Sequence, residues 1–477
     1  MKGRIFMKKL SLILAFILAL SPLLISCTEV KENAPGSTGK KEEQKFEYTL
    51  SELPELDFGQ KEFGIYGVNG SMSYMIAEEE TGDLVNDAVF QRNIAIEEAY
   101  NLRFNMFEAE RGEENNATKI RTFIMSGDTT YHLYQALQHG GMPALILRDF
   151  FIDWNTLEHI NADRPYWNSK GTKNIGFYGR LYATGGDINL VTYNSTNCIL
   201  FNKKLFDDLG IDYPYEDVYN KTWTADKMIE IVKQGYADLN GDTVWDTQFD
   251  RLGFSGWGWE MLYAAYMGLG GKTLIQNEDG APELAMANEK HVEIIDKLIE
   301  LYDGVNTWVN MTTYTDDKKM FTDGRLLMDD NFITGISQNR DSEFDIGVVP
   351  YPMLDEAQGE YYSRAANIAH LSYIPTTNAQ LEETGIILEA MAIESYNNVR
   401  PTYYDITLDL KEAADEETRD MVDIILASST YLYEGFMNIN KLAEFVDKRT
   451  NTYSSWCAAM QKQFDLNLSK IEKYYMS

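Results

Sequence analysis

Residues 61–68 (KEFGIYGV), 86–100 (NDAVFQRNIAIEEAY) and 102–107 (LRFNMF) begin the pattern that decides the fold class. The first and third pieces are apolar or alternating runs of strand length, and the second carries apolar residues at helical spacing. A helical segment at 117–125 and a strand candidate at 131–137 continue the pattern. Such alternation is typical of a parallel sheet covered by helices. The sequence therefore predicts an α/β fold.

The rest of the chain contains longer helical segments and fewer strands. Residues 179–194 (GRLYATGGDINLVTYN) are predicted to be extended, with backbone freedom at Gly185 and Gly186. Short strands are predicted at 325–328 and 344–349. Further helices are predicted at 203–209, 225–236, 291–302, 381–397, 416–428 and, with breaks, 441–473. The C-terminal third is therefore predicted to be mostly helical.

The N-terminus has the layout of a secretory leader. Cationic residues precede an apolar run at 10–20 that is too short for a membrane-spanning helix. The next residues, LISC at 24–27, resemble the bacterial lipobox, which implies cleavage before Cys27 and lipid attachment to it. An ordinary leader with a chance cysteine is the alternative. Residues 1–26 are thus predicted to be a lipoprotein signal peptide, and residues 27–44 a flexible tether to the membrane.

The composition limits the classes of function. The 477 residues carry a formal net charge of −32, whereas nucleic-acid-binding proteins concentrate Lys and Arg on one face. None of the five histidines has a metal-ligand spacing such as HExxH. Cys198 and Cys457 can pair in an oxidising compartment or remain buried thiols. We therefore expect no nucleic-acid partner and no zinc chemistry.

Several segments resemble family 1 extracellular solute-binding proteins, the group that includes the maltose-type binding proteins. The matching segments are SGD at 126–128, YHL at 131–133, RPYWN at 164–168, GRLY at 179–182, GD at 186–187, FNKKL at 201–205, TWT at 222–224, FDIGVVPYP at 344–352 and YIP at 373–375. His132 and Met353 depart from the family, which usually has Asp and Lys there. Each motif alone is weak, but their shared order and spacing cover nearly the whole mature chain.

The resemblance implies a two-lobed, periplasmic-binding-protein-like (type II) fold with discontinuous α/β lobes and a C-terminal helical segment. The first lobe is expected to take residues 45–190 and 335–400, and the second 191–334 and 401–477. The implied function is binding without catalysis or cofactor. The resemblance implies a lipid-anchored, extracytoplasmic monomer that captures a small solute of the carbohydrate class and delivers it to the transmembrane subunits of an ABC permease.

The segment GWGW at 256–259 is the strongest candidate for a ligand contact. Aromatic rings cover the flat apolar faces of a sugar. Two tryptophans separated by one glycine are hard to bury on one face, and the family places a cleft-lining aromatic here, with Tyr263 the closest match by spacing. We expect Trp257, Trp259 or Tyr263 to stack on ligand; core packing at a helix start is the alternative.

Polar candidates lie beside the segments that the resemblance implies connect the two lobes. Asp187 follows the paired glycines at the first crossing, and Asp330 and Asn331 precede the second. Planar polar side chains pair two sugar hydroxyls at once, although capping and turn formation are alternatives for Asp and Asn. Arg364, in a segment returning to the sheet, is a further candidate ligand residue.

Residues 238–246 (DLNGDTVWD) resemble part of a calcium loop. Asp238, Asn240, Asp242 and Asp246 have the spacing of its first, third, fifth and ninth positions. The glycine stands at the fourth position instead of the sixth, and Asp250 comes one residue late for the twelfth. The segment therefore allows calcium as a cofactor, with a metal-free turn as the alternative.

Two other functions remain open from the sequence. An extracellular glycoside hydrolase needs only two suitably placed carboxylates, and the chain has 74 acidic residues. It lacks a nucleophile elbow or a metal triad. A helical-repeat surface glycan-binding lipoprotein would be built from helix pairs, which conflicts with the strand–helix alternation at 61–137.

Overall fold

The computed structural model describes residues 48–68, 72–109, 113–138, 141–168, 171–172, 174–244, 246–310, 315–366, 369–407, 416–431 and 441–476. Tyr48–Ser477 form one compact unit. The predictions for the leader, Cys27 and the tether lie outside the described residues.

The described strands form two main sheets and two small ones. In chain order they are β1 (Lys61–Val68), β2 (Leu102–Ala109), β3 (Tyr131–Leu137), β4 (Asn197–Asn202), β5 (Leu252–Trp257), β6 (Leu274–Gln276), β7 (Pro282–Leu284), β8 (Thr307–Asn310), β9 (Leu326–Phe332), β10 (Ile346–Val349), β11 (Ser363–Arg364), β12 (His370–Tyr373) and β13 (Ser429–Thr430).

Helices cover the main sheets. In chain order they are α1 (Leu84–Tyr100), α2 (Glu113–Ser126), α3 (Met142–Ile146), α4 (Val191–Asn194), α5 (Lys203–Leu209), α6 (Tyr215–Tyr219), α7 (Ala225–Gly235), α8 (Gly258–Gly268), α9 (Glu289–Leu301), α10 (Thr315–Thr322), α11 (Gly335–Gln338), α12 (Leu381–Glu394), α13 (Arg400–Thr407), α14 (Glu416–Ala427), α15 (Leu442–Asp447) and α16 (Tyr453–Tyr475). A π-helical turn, Ser395–Val399, joins α12 to α13.

The first main sheet has the strand order β12-β3-β1-β2. Strand β1 pairs in parallel with β2 and β3, and β12 pairs antiparallel with β3. Helix α1 connects β1 to β2; the Asp83 carboxylate accepts the Asn86 N–H at 2.9 Å at its start, and left-handed Asn101 ends it. This confirms the predicted alternation, and we call the body around this sheet the first lobe.

The second main sheet has the strand order β10-β4-β9-β5-β8 and defines the second lobe. Strand β4 is antiparallel to β9 and β10, whereas β5 is parallel to β8 and β9. The carboxyl ends of β5, β8, β9 and β10 therefore meet at one edge, where β4 begins. Ligands of α/β proteins commonly bind outside such an edge. The two sheets also exclude a fold made only of helix pairs.

The chain crosses between the lobes through several short, buried segments. Strand β11 pairs in parallel with β13, and Thr196 bridges Ala365 in antiparallel fashion. Two details correct the expected division. Strand β10 belongs to the second sheet although 335–400 was assigned to the first lobe. Helix α13 packs against α1 of the first lobe although it follows the expected boundary at residue 400. The remaining boundaries stay a prediction.

Residues 179–194 differ from the expected extended segment. Only isolated bridges occur there, such as Thr184 with Ser372, and the last four residues form α4. Strand β4 was missed because it is buried along its whole length and lacks an alternating pattern. Within the described residues, no helix combines the length and apolar character needed to cross a bilayer.

Candidate functional site

A cluster of buried polar side chains occupies the carboxyl edge of the second sheet. We call Asn197, Glu260, Asp330, Tyr351 and Arg364 the edge cluster. All five are buried, although each carries a polar or charged group that is costly to remove from water without partners. Their contacts form a continuous path along the edge.

Asp330 is at one end of the edge cluster, on β9. Its Oδ1 accepts the Tyr351 hydroxyl at 2.5 Å and lies 3.5 Å from Asn197 Nδ2. Burial and the Asp330 carboxylate raise the pKa of Tyr351 well above its ordinary value, so the phenol remains a donor. A Cβ on Gly256 would lie 2.4 Å from Asp330 Cβ, which explains the glycine on neighbouring β5.

Asn331 follows Asp330 on β9 and forms hydrogen bonds with different partners. Its Nδ2 donates to Asp329 Oδ2 at 2.8 Å, and its Oδ1 accepts the Phe332 N–H at 2.9 Å. Asn331 is 7% exposed, as is Asp330. Both predicted residues therefore lie at the sheet edge but are engaged by the protein.

Arg364 is at the other end of the edge cluster and is only 1% exposed. Its guanidinium donates to the carboxylate of Glu260 in the first turn of α8, and Nη1 lies 3.5 Å from Asn197 Oδ1. Its Cζ lies 5.5 Å from the centroid of the Tyr263 ring. The structure thus brings Arg364, Tyr263 and Asp330 together, which the sequence could only list separately.

The GWGW segment lies where β5 ends and α8 begins. Trp257 is the last residue of β5, Gly258 has a φ of 48°, and Trp259 lies in the first turn of α8. The left-handed backbone at Gly258 turns the chain from strand to helix. The backbone thus places both tryptophans beside Glu260; their side chains lie outside the described part of the structure. Tyr263 is 8% exposed.

Asp187 forms a separate buried group with Tyr193 and Arg400. The Tyr193 hydroxyl donates to Asp187 Oδ1, and Arg400 Nη1 lies 3.6 Å from Oδ2. The Arg400 guanidinium also lies 5.7, 5.4 and 5.5 Å from the ring centroids of Tyr193, Tyr396 and Tyr404. Burial raises the pKa of Asp187 to about 6, against the opposing effect of Arg400. Asp187 is fully buried, so its carboxylate serves the protein's own contacts in this structure.

The acidic loop between α7 and β5 is held by its own hydrogen bonds. Asp238 accepts the N–H groups of Gly241 and Thr243 at 2.6 and 2.8 Å. Asn240, Asp242 and Asp246 likewise accept backbone N–H groups within the loop. Across the described residues, no three His, Cys, Asp or Glu side chains are grouped to hold a metal ion. The calcium hypothesis therefore stays a prediction.

A cavity of about 240 Å³ lies apart from the edge cluster. It lies between Trp167, Arg180 and Thr184 of the 155–184 segment and Gln276 of β6. Gln276 Nε2 donates to the Gly176 carbonyl at 2.7 Å beside it. The lining is mostly apolar and contains none of the predicted ligand residues. We therefore place the candidate site at the edge cluster.

Sequence reasoning missed Glu260, Asn197 and Arg400. Glu260 directly follows the GWGW segment, but its partner Arg364 is 104 positions away. Asn197 and Arg400 carry no local motif. Cys198 and Cys457 are both buried and free, so the pairing alternative is wrong.

The two main sheets and the short segments that cross between them define a two-lobed α/β fold, which is the fold of the maltose-type binding proteins. No family model matches the sequence, and no curated protein matches it. Solved structures do match the fold over most of the chain.

Three solved binding proteins illustrate the likeness. The cyclic α-maltosyl-1,6-maltose binding protein of Arthrobacter globiformis has a TM-score of 0.57 at 13% identity, covering 86% of this chain and 99% of its own. The GacH receptor of Streptomyces glaucescens, solved unliganded and with acarbose, has a TM-score of 0.54 at 10% identity, covering 86% of this chain and 99% of its own. Maltose-bound MalE3 of T. maritima has a TM-score of 0.52 at 11% identity, covering 85% of this chain and 99% of its own. At these identities the likeness concerns the fold.

Proposed function

We propose that this chain is an extracytoplasmic solute-binding protein that captures a neutral oligosaccharide between its two lobes and delivers it to an ABC permease. The observation that carries the proposal is a two-lobed fold with a polar and aromatic cluster at the carboxyl edge of one sheet. The sugar ligands of three proteins with the same fold support the ligand class.

The ligand-contacting surface is formed by the start of α8 and the end of β9. Trp257, Trp259 and Tyr263 provide stacking faces, and Asp330 and Asn331 provide polar groups for hydroxyls. Arg364 supports this surface through its buried contact with Glu260, whereas Asp187 belongs to a separate buried group with Tyr193. The two lobes close on the ligand, and the ligand is released unchanged.

The remaining parts of the proposal concern location and assembly. Cys27 carries a lipid that holds a monomer at the membrane, and residues 27–44 act as the tether. Binding needs no cofactor; the acidic loop keeps its conformation through its own hydrogen bonds.

Differential scanning fluorimetry with a ligand panel tests the proposal. We expect at least one member of a panel of maltotetraose, raffinose and cyclic oligosaccharides to raise the melting temperature, because a ligand that binds only the folded state stabilises it. Peptides and polyamines are the control ligands. No shift with any sugar, or a shift only with a control ligand, would contradict the proposal.

A glycoside hydrolase is the competing function. Release of the aglycone from aryl glycosides at a rate proportional to enzyme concentration would establish turnover and replace the binding proposal.

A further inference from the structure

Arg364 connects the lobe crossing to the helix that carries the candidate aromatic surface. It lies on β11, which pairs with β13, and the next residue, Ala365, bridges Thr196. Its guanidinium reaches Glu260 in the first turn of α8, and its Cζ lies 5.5 Å from the Tyr263 ring centroid one turn later. One side chain thus links a crossing strand to the first two turns of a helix from the second lobe.

The buried ion pair between Arg364 and Glu260 requires a defined orientation of its two side chains. Arg364 is 1% and Glu260 4% exposed, so both charges have lost their hydration. A buried ion pair is no more stabilising than well-packed apolar residues, but it requires a defined arrangement of its partners. The planar guanidinium makes that arrangement stricter than a lysine ammonium does. The carboxylate at the N-terminal turn of α8 also suits the helix dipole.

The proposed stacking residues lie just before this helix and in its first two turns. Trp257 and Trp259 flank the left-handed Gly258, and Glu260 follows directly. We therefore expect a change in the contact between Glu260 and Arg364 to move the start of α8 relative to β11. Because the lobes meet at β11, this also changes where the aromatic surface stands relative to the first lobe.

From this geometry we infer that Arg364 and Glu260 form a positioning pair, which sets the aromatic surface of α8 against the lobe crossing without contacting ligand. This inference rests on the proposed function for the role of the surface, but the position of α8 can be measured without ligand. It assigns Arg364 a role different from the ligand contact that its sequence position suggests.

The test uses the full-length protein labelled with 5-fluorotryptophan, four test variants and one control variant. Arg364→Met removes the ion pair from a residue distant in sequence from both tryptophans, and Arg364→Lys retains the charge without the planar fork. Glu260→Gln and the double variant that combines it with Arg364→Met complete a double-mutant cycle. Glu389→Gln is the matched control, because Glu389 is a buried carboxylate bonded to Tyr166 and Trp167 in the first lobe.

We expect the ¹⁹F resonances of Trp257 and Trp259, assigned by single Trp→Phe replacements, to shift in Arg364→Met without ligand and to shift less in Arg364→Lys. The Kd for maltotetraose should rise about tenfold in Arg364→Met and no further in the double variant, as for two residues acting as a unit. Glu389→Gln should lower the melting temperature and change neither readout. If Arg364→Met does not fold, the ¹⁹F resonance of Trp257 is compared between Glu260→Gln and the wild type instead.

Unchanged ¹⁹F resonances in the variants that remove the ion pair would overturn the inference. If the wild type binds maltotetraose, shifted resonances in a variant whose Kd equals that of the wild type would overturn it too. If the wild type binds no sugar while the resonances shift, the positioning role stands and the proposed function fails.

Discussion

At the scale of single residues, charges are buried in matched groups. Arg364 is paired with Glu260, and Asp187 contacts both Tyr193 and Arg400. Arg92 is buried too, and desolvation lowers its pKa to about 9; it donates to the Met75 carbonyl and the Ser395 hydroxyl. Each group joins segments far apart in sequence, so its loss affects the relation between elements.

Replacing Asp187 with Asn should change how stability depends on pH. Burial raises the pKa of Asp187 from 3.8 to about 6, so the folded protein retains a proton that the unfolded chain releases at lower pH. Stability from this group is therefore lost as pH rises from about 4 to 6. We expect the wild-type free energy of unfolding, relative to Asp187→Asn, to fall by up to about 3 kcal/mol between pH 4 and 7.

Urea denaturation of both proteins at pH 4, 5, 6 and 7 measures this difference. A constant offset between wild type and variant across the range would show that Asp187 has an ordinary pKa in the folded protein.

Truncation of the aromatic surface should weaken ligand binding. We expect Trp257→Ala, Trp259→Ala or Tyr263→Ala to reduce affinity by about 1–3 kcal/mol, as for a stacked aromatic at the centre of a binding site. Trp456→Ala is the control, because its ring packs on Phe445 and Phe464 of the second lobe's helices. Equal affinity in all three variants, measured by calorimetry, would remove this segment from the site.

At the scale of elements, the strand–helix alternation of the first lobe was predictable. Strand β1 contains a short apolar run, β2 alternates over LRFNMF, and α1 buries Val85, Val89 and Ile96 at helical spacing. Strands β4 and β8 were not predictable in the same way. They are short, and β4 is buried from end to end, so neither shows the two-residue alternation of a half-exposed strand. The pairing of Arg364 with Glu260 depends on the whole fold and leaves no local signal.

Replacing Gly256 with Ala should destabilise the edge of the second sheet. An added Cβ would meet Asp330 Cβ at 2.4 Å, so β5 or β9 must shift. Overpacking of this kind costs about 1–3 kcal/mol. Gly385→Ala in α12 is the control, since its Cβ would meet only Leu157 and His159 at 3.8 Å or more. A melting temperature lower for Gly385→Ala than for Gly256→Ala would contradict this account of the sheet edge.

The acidic loop should keep its fold without metal. Its side-chain oxygens accept the loop's own N–H groups, which stabilise the turn directly. We therefore expect neither EDTA nor added Ca²⁺ to change the melting temperature. A rise with Ca²⁺ that disappears in an Asp242→Asn variant would show that the loop binds calcium.

At the scale of the whole molecule, the two lobes are joined both at the crossing and beyond it. Tyr178 N–H donates to the Gly280 carbonyl at 2.7 Å, and Tyr182 contacts Tyr475 of the C-terminal helix at 5.4 Å between ring centroids. The sequence resemblance correctly implied two lobes, but it could not place β10, whose partner β4 is far away in the chain.

Isothermal titration of the full-length protein with maltotetraose, raffinose and cyclic oligosaccharides, followed by mass spectrometry of the recovered sugar, tests the central claim most directly. The account predicts one-to-one binding of at least one of these sugars with a Kd of about micromolar or tighter and recovery of that sugar intact. Absence of binding heat for every sugar, or recovery of cleaved sugar, would contradict it.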